Sequence, residues 1–459
     1  MATRALDAAQ AWQAAVVARY RAARPRSEAV TLRARGLLAG GDTRVGSSVP
    51  PFGPVFVHGS GQELTDLDGN VVLDTTNNAT SLIHGHANPA IVAAANAQIG
   101  HGTQWLGLNP GIVELADLIV DRVPSVERVR FTNSGSEANG LMVKVARAFT
   151  GRDLIMKMDA QYHGSNDTFE FGPSAAGDRS QPAPLMEGVA RNLADNIVIG
   201  RFNDTDAVLE LMDRYTGRLA AVMLTPVASI GMVEPVPGFL EALREETRRR
   251  GILLLFDEVI SLRLARGGAQ QRYGVTPDMT SMAKIIGGGF PVGAYGGRED
   301  IMALTDPTNG TQRVTHAGTF NGNPVSAAAG RASLELLTPA AFERLETAGR
   351  GLERAVGSAI TASGAPFRLT RAGSLLHLDF LAPGGEAWAP AAALVRRYLP
   401  TAWLSHGLLG SAVNASTVMT DAQIDEVGRR FRTAMDELMG YVGEALPGVA
   451  AEPVAAGRA

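Results

Sequence analysis

Two features of the sequence could do chemistry together, and the first is the use of lysine. Lysine occurs only at Lys144, Lys157 and Lys284, and all other members of the 42 basic residues are arginine. An amine can lose its proton and attack a carbonyl, whereas a guanidinium stays charged. A chain that avoids lysine is therefore expected to keep one where a Schiff base forms. Lys284 precedes the glycines of Gly287–Gly289, where a backbone can pass close to a flat ligand.

The second feature is Asp257, which directly follows the five apolar residues Ile252–Phe256. A carboxylate at the end of a buried strand is costly unless a cation meets it. The protonated ring nitrogen of pyridoxal-5′-phosphate (PLP) is such a cation, and a ring held protonated draws electrons from the substrate Cα when its C–H bond breaks. We predict that Lys284 binds PLP as a Schiff base and then carries the proton, with Asp257 on the ring nitrogen.

Other interpretations of these residues exist. Acidic residues after an apolar strand are also typical of nucleotide hydrolases, but none of the three lysines lies in the Gly-Lys-Ser/Thr motif of their phosphate-binding loop. Lys284 could be a structural lysine at a strand end. Lys157 is the rival candidate for the Schiff base, although it has no glycine-rich neighbour.

A phosphate site and a ring site are also predicted. Ser134-Gly135-Ser136 joins a predicted strand to a helix, so N–H groups and hydroxyls can face an anion. The same sequence is also common as a simple helix cap. In the loop Tyr162-His163, the tyrosine could stack on the pyridine ring while Val259 packs on the opposite face. We include His163 among the cofactor-binding residues.

Elements that would position these residues follow from the hydrophobic pattern between residues 128 and 284. The predicted strands are Arg128–Asn133, Leu154–Asp159, Ile197–Phe202, Leu219–Val227, Ile252–Val259 and Thr280–Lys284. The predicted helices between them are Glu137–Thr150, Asp206–Tyr215 and Gly238–Arg250. This alternation indicates an α/β domain with a mainly parallel sheet, and ligands of such sheets bind beyond the carboxyl ends of the strands.

The flanking segments are predicted to form a smaller α+β domain. We assign residues 1–75 to an N-terminal helix and a hairpin that closes at Asp68-Gly69, residues 76–335 to a large PLP-binding domain, and residues 336–459 to a C-terminal small domain. Residues 447–459 are expected to form a frayed tail.

Composition restricts the class of partner. The 42 basic and 46 acidic residues nearly cancel, so nucleic acid and membrane surfaces are not expected partners, and a small molecule is. No cysteine is present, which excludes disulfides and thiolate metal sites, and we expect no metal. No apolar run approaches the roughly 20 residues of a membrane span, so we expect a soluble, cytoplasmic protein. The first 26 residues allow a transit peptide or an amphipathic helix, and we favour the helix.

Taken together, these motifs resemble those of the class III, fold-type I PLP aminotransferases. The similarity extends from about Gly40 to Asp421, and its densest parts are Phe131–Asn139, Phe149–Asp153, Tyr162–Gly164, Phe256–Val259, Lys284–Gly289 and Ala317–Pro324. The branches that it most resembles are glutamate semialdehyde aminomutase and the aromatic β-amino-acid aminotransferases.

The resemblance implies a homodimer with shared active sites. Gly318 and Thr319 would reach the phosphate of the neighbouring subunit's PLP, and Gly135 and Ser136 would hold that phosphate from within. It also supports the ring nitrogen as the partner of Asp257.

Departures from the family bear on the substrate. Arg44 resembles an arginine that grips the substrate carboxylate in the β-amino-acid enzymes, although it could equally be a solvated loop residue. Ala79 stands where the aminomutase has tryptophan. Leu409–Ser411 replaces an arginine that binds a distal carboxylate, and Thr225-Pro226 replaces Glu-Pro. These changes favour a pyruvate-like acceptor over 2-oxoglutarate.

We therefore predict a PLP-dependent aminotransferase that moves an amino group from an amine or β-amino acid to a keto acceptor by a ping-pong mechanism. The alternative is an isomerase like glutamate-1-semialdehyde 2,1-aminomutase. A PLP-family protein that has lost its activity is a further alternative, and the survival of Lys284, Asp257 and the phosphate loop argues against it.

Overall fold

The computed structural model describes residues 2–44, 46, 48–175, 177–381, 388–410 and 412–443. The predicted C-terminal tail lies outside these residues. Contacts divide the chain into two units. The large unit comprises Thr80–Ile83 and Pro89–Glu343, and the small unit comprises Met1–Ala79, His84–Asn88 and Arg344–Ala459.

Strands of the described residues are numbered in chain order. They are β1 (Phe56–Ser60), β2 (Glu63–Asp66), β3 (Val71–Asp74), β4 (Arg128–Thr132), β5 (Leu154–Met158), β6 (Phe171–Pro173), β7 (Pro182–Pro184), β8 (Ile197–Gly200), β9 (Leu219–Leu224), β10 (Leu253–Asp257), β11 (Met279–Ala283), β12 (Gly293–Gly297), β13 (Phe367–Ala372), β14 (Leu375–Phe380) and β15 (Leu408–Leu409).

Helices are numbered in the same way. They are α1 (Ala2–Ala22), α2 (Pro25–Arg35), α3 (Asn77–Thr80), α4 (Pro89–His101), α5 (Pro110–Arg122), α6 (Gly135–Thr150), α7 (Thr205–Arg214), α8 (Phe239–Arg250), α9 (Gly268–Tyr273), α10 (Glu299–Met302), α11 (Pro324–Leu336), α12 (Pro339–Ser363), α13 (Ala389–Ser405) and α14 (Asp421–Val442). The short segment α3 is a left-handed turn, because all four of its residues have positive φ.

The large unit is built on a seven-stranded sheet with the order β4-β12-β11-β10-β9-β5-β8. Neighbouring strands are parallel except at β12, which is antiparallel to both β11 and β4. The strand β10 shows why the strands of this sheet have continuous apolar sequences. Leu253 and Leu255 enter one core together with residues of α6, whereas Leu254 and Phe256 enter a second core with residues of α7 and α8. Helices therefore cover both faces, and the predicted α/β class with a mainly parallel sheet is confirmed.

The antiparallel strand β12 is absent from the sequence prediction, because its sequence Gly-Ala-Tyr-Gly-Gly is poor in strand-forming residues. The structure gives a reason for the glycine at its start. A Cβ built on Gly293 would lie 2.1 Å from the carbonyl oxygen of Ser134, so a side chain would displace the loop that follows β4. The glycines are there for close approach of the backbone.

The small unit combines helices with two small sheets, as an α+β arrangement. Its four-stranded sheet has the order β1-β2-β3-β15, and β13 pairs with β14. Helix α1 packs against α13 and α14 through a buried stripe that includes Trp12, Val16 and Tyr20. The predicted hairpin is present, but β1 and β2 turn at Gly61, and Asp68-Gly69 instead connects β2 to β3.

Among the described residues, no helix is both long enough and apolar enough to cross a bilayer.

Candidate active site

Four strand ends of the large unit meet at one edge of the sheet. Asp257 at the end of β10 pairs in register with Ser281 of β11, and Ala283 at the end of β11 pairs with Gly293. Gly293 in turn pairs with Thr132, the last residue of β4. This register brings the residues that follow β4, β10 and β11 to the edge where parallel sheets bind ligands.

The carboxylate of Asp257 is 3% exposed and is held by three contacts. Its Oδ2 accepts a hydrogen bond from Nδ2 of Asn139 at 2.8 Å and lies 2.9 Å from Nδ1 of His163. Its Oδ1 accepts from the backbone N–H of Val259 at 3.0 Å. No arginine or lysine forms an ion pair with Asp257 among the described residues. The carboxylate is thus fixed in orientation by polar groups that carry no permanent positive charge.

Lys284 directly follows β11, so the predicted strand is one residue too long at this end. Its backbone φ is 54°, in the left-handed region that costs a non-glycine residue on the order of 1 kcal/mol and that recurs at functional sites. Burial lowers the pKa of the Lys284 amine, while the charge of Asp257 acts in the opposite direction. A lowered pKa makes the neutral, nucleophilic amine more available near neutral pH.

The rival lysine has a different environment. Lys157 is 2% exposed, and its Nζ donates to the carbonyl oxygens of Phe169 at 3.0 Å and Phe171 at 2.8 Å. Burial lowers the pKa of Lys157 to about 8. The amine of Lys157 is engaged by these two backbone carbonyls. Lys284 is therefore the better candidate for covalent chemistry.

The predicted phosphate loop begins helix α6. Ser134 is the N-cap, and its Oγ accepts from the backbone N–H of Glu137 at 3.2 Å, so the capping interpretation holds for this residue. Gly135 lies against Val259, since a Cβ built on it would be 2.9 Å from Cγ2 of that side chain. Ser136 accepts from the backbone N–H of Ser165 at 3.3 Å through its Oγ. The loop is therefore adjacent to the residues that follow β5 and β10.

The two residues of the Tyr162-His163 pair differ in exposure. Tyr162 is 61% exposed, and its backbone N–H donates to Oγ of Ser229 at 3.0 Å. His163 is buried, and its ring faces Asp257 through Nδ1. Tyr162 is thus free to stack on a ligand ring, whereas His163 is a partner of the carboxylate.

The other predicted site residues belong to two further segments of the chain. Gly318 and Thr319 are in an exposed loop of the large unit, where the carbonyl oxygen of Thr319 accepts from Nε2 of Gln104 at 2.7 Å. Arg44 belongs to the small unit, and its Nη1 lies 3.5 Å from Oδ1 of Asn78. Ser411 lies outside the described residues.

Two polar residues of the site were not singled out from the sequence. Asn139 is 1% exposed within α6, and Oγ of Ser281 donates to its Oδ1. This contact orients the amide so that Nδ2 faces Asp257. The available signal was a buried-face position occupied by asparagine among the apolar residues of an amphipathic helix.

The donor set of this edge fits PLP. Lys284 supplies an amine for the aldehyde, Asp257 a buried carboxylate for the ring nitrogen, and the start of α6 supplies N–H groups and a hydroxyl for a phosphate. The cradle is tight where Gly135 meets Val259, which leaves no room for a side chain at position 135.

Comparisons with known proteins agree with this chemistry. The family model "Aminotransferase class-III" matches residues 46–396. The chain is 44% identical over 329 residues to glutamate-1-semialdehyde 2,1-aminomutase of Thermomicrobium roseum, covering 71% of this chain and 76% of that protein.

Solved structures with the same fold cover nearly the whole chain. An omega-transaminase from Sphaerobacter thermophilus has a TM-score of 0.84 and 39% identity, over 90% of this chain and 98% of that one. A β-phenylalanine aminotransferase from Variovorax paradoxus has a TM-score of 0.83 and 31% identity, over 96% and 99%. The fold is that of a fold-type I PLP transferase, and the predicted cofactor PLP is confirmed as that of the family. The chain belongs to the class III aminotransferases.

Proposed function

We propose that this edge of the large unit binds PLP and that the chain moves the amino group of a small amino-acid or amine substrate. The observation that carries the proposal is the placement of Asp257 and Lys284 at the ends of two adjacent parallel strands. When bound, PLP supplies an electron sink for breaking a bond at the substrate carbon that bears nitrogen.

Lys284 and Asp257 have different roles in this proposal. Lys284 would bind the cofactor covalently and, once released by the substrate amine, would move a proton at the substrate carbon. Asp257 would hold the proton on the ring nitrogen, in the orientation that Asn139 and His163 impose. In this proposal His163, predicted as a cofactor-binding residue, acts on the cofactor site through its contact with Asp257.

The remaining residues would bind the phosphate and the ring of the cofactor. Ser134, Gly135 and Ser136 would hold the phosphate at the start of α6. Tyr162 would stack on the ring, and Val259 would pack on its other face. We also propose a homodimer in which Gly318 and Thr319 of one subunit complete the phosphate site of the other. The exposure of this loop supports that role.

Two reactions fit this site, and the comparisons with curated sequences favour the aminomutase. Those relatives bear the name glutamate-1-semialdehyde 2,1-aminomutase, at 38% to 44% identity. This order reverses the one reached from the sequence, which placed the aminotransferase first. In the aminomutase reaction the amino group returns to the same carbon skeleton, so no second substrate is needed.

The aminotransferase reaction is the second candidate, and different observations favour it. The solved structures named omega-transaminase and β-phenylalanine aminotransferase are 39% and 31% identical to this chain, whereas a solved aminomutase structure is 24% identical. Ala79 occupies the position where the aminomutase resemblance implies tryptophan. The donor would be an amine or β-amino acid, with a pyruvate-like acceptor.

Single-substrate incubation distinguishes the two reactions. Purified enzyme with PLP is given glutamate-1-semialdehyde alone, and separately a β-amino acid with pyruvate or with 2-oxoglutarate. Isomerised product from the semialdehyde alone establishes the aminomutase. New alanine that requires both partners establishes the aminotransferase, and a clear preference for 2-oxoglutarate contradicts the predicted acceptor.

Arg44 provides a further test of the substrate. If its guanidinium grips a substrate carboxylate, Arg44→Ala raises KM for carboxylated amines and leaves KM for simple amines unchanged. Equal effects on both kinds of amine would contradict this role.

A further inference from the structure

Lys157 is a buried lysine that takes no part in the proposed chemistry. Its amine holds the carbonyl oxygens of Phe169 and Phe171, both of which belong to the segment 167–173, called the strap below. The strap consists of the turn Asp167–Phe169 and the strand β6. A buried ammonium group is costly unless its donors are satisfied, so these two bonds tie the strap firmly to β5.

Phe169 connects the strap to the proposed cofactor site. Its ring meets the ring of His163 edge to face, with centroids 5.6 Å apart and planes at 60°. Nδ1 of His163 contacts Asp257, whereas Nε2 is buried and has no hydrogen-bond partner among the described residues. With one nitrogen held and the other not, packing against neighbours such as Phe169 must fix the rotation of the imidazole.

We propose that Lys157 is a positioning residue for the cofactor site: by holding the strap that carries Phe169, it fixes the ring of His163 and through it the carboxylate of Asp257. This inference rests on the proposed role of Asp257 at the ring nitrogen. It also accounts for one of the three lysines of the chain.

Arginine would not serve at this position. The ammonium of Lys157 is compact and directs separate donors at two carbonyls that lie in the same short strap. A guanidinium is planar and larger, with its donors in a fixed fork that matches a carboxylate instead. Lys157→Arg is therefore expected to overpack the buried site rather than to restore the contact.

Two matched pairs of variants of the PLP-loaded enzyme test the inference. Phe169→Leu and Phe171→Leu each remove a buried ring from the strap, but the ring contact with His163 is made by Phe169. Lys157→Met and Lys144→Met each remove one amine, the second from an exposed position on α6. For each variant, the Kd of PLP and the visible absorption of the bound cofactor are measured, together with kcat, KM and the melting temperature.

We expect Phe169→Leu and Lys157→Met each to raise the Kd of PLP about tenfold, corresponding to about 1.4 kcal/mol. The absorption maximum of the bound cofactor should shift in the same direction in both variants. The double variant Lys157→Met/Phe169→Leu should lose no more PLP affinity than the more affected single variant, because both changes act through one contact. Phe171→Leu should lower the melting temperature but keep the wild-type absorption and Kd, and Lys144→Met should resemble the wild type throughout.

Equal shifts in Phe169→Leu and Phe171→Leu would overturn the inference, as would a Lys157→Met variant that loses only thermal stability. If Lys157→Met does not fold, the two phenylalanine variants decide alone. Wild-type enzyme that binds no PLP contradicts the proposed function itself, whereas wild-type binding with unaltered Phe169→Leu contradicts only the role of the strap.

Discussion

Asn139 and Asp257 are joined by a 2.8 Å hydrogen bond between two side chains that are 1% and 3% exposed. They lie far apart in the sequence, on helix α6 and strand β10. The same amide donates from Nδ2 to the carbonyl oxygen of His163 at 2.9 Å and accepts from Ser281 through Oδ1. One asparagine thus links three chain segments around the proposed site.

Replacing Asn139 should therefore affect both stability and cofactor binding. Asn139→Leu leaves Ser281, His163 and Asp257 each without one partner in a buried environment, at a cost of about 1–3 kcal/mol per unsatisfied group. We expect a lower urea midpoint of unfolding and a weaker Kd for PLP. Asn309→Ala, at an exposed position, is a control for the loss of an asparagine. A wild-type midpoint for Asn139→Leu would contradict the structural role.

Removal of the reactive amine is expected to abolish turnover. Lys284→Ala should remove covalent attachment of PLP and lower kcat by about 10²–10⁴-fold or more, because both attachment and proton transfer depend on this amine. Borohydride reduction followed by peptide mapping locates the modified lysine in the wild type. Modification at Lys157 or Lys144 in place of Lys284 would show that the assignment is wrong.

A methyl group at the start of β12 should disrupt the phosphate loop. The Cβ of Gly293→Ala would lie 2.1 Å from the carbonyl oxygen of Ser134, so the loop must move or the strand must shift. We expect loss of soluble protein or a large decrease in PLP affinity. Gly357→Ala in α12 is the control. Outside the chain neighbours and the nearby backbone of its own helix, no atom of the described residues lies within 4 Å of a Cβ built there, and alanine should stabilise the helix by up to about 1 kcal/mol.

The stability of the protein should depend on pH through Lys157. Burial lowers the pKa of this amine from 10.5 to about 8, while the charges of Glu170 and Asp159 oppose the shift. Between these two values the unfolded chain binds more protons than the folded one, so stability gained from this group rises with pH. The full cost of the buried charge is present below pH 8, and it is relieved as the pH approaches 10.5.

The comparison of wild type with Lys157→Met isolates that contribution. The free energy of unfolding of the wild type, relative to the variant, should increase between pH 8 and 10.5 by at most about 3 kcal/mol. Urea midpoints at several pH values measure this increase, and Lys144→Met is the control for the loss of an exposed amine. A relative stability that decreases across this range would contradict the lowered pKa.

The sequence by itself determined the family, the fold class and the cofactor, together with most of the elements around the proposed site. Apolar runs such as Ile252–Phe256 predict buried parallel strands because both faces of such a strand meet a core, and rare lysine singles out Lys284 because only an amine forms a Schiff base. These features depend on residue type and local spacing, which can be read directly.

Only the tertiary structure decided how the residues are used. Strand β12 was not predicted, because its sequence is rich in glycine. A glycine such as Gly293 allows the backbone to lie close to Ser134, and no local sequence pattern indicates that contact. The pairing of His163 and Asn139 with Asp257, and of Lys157 with the strap, joins side chains from different strands and helices. Such contacts depend on strand order and register, and these are set by packing across the whole sheet rather than by any one segment.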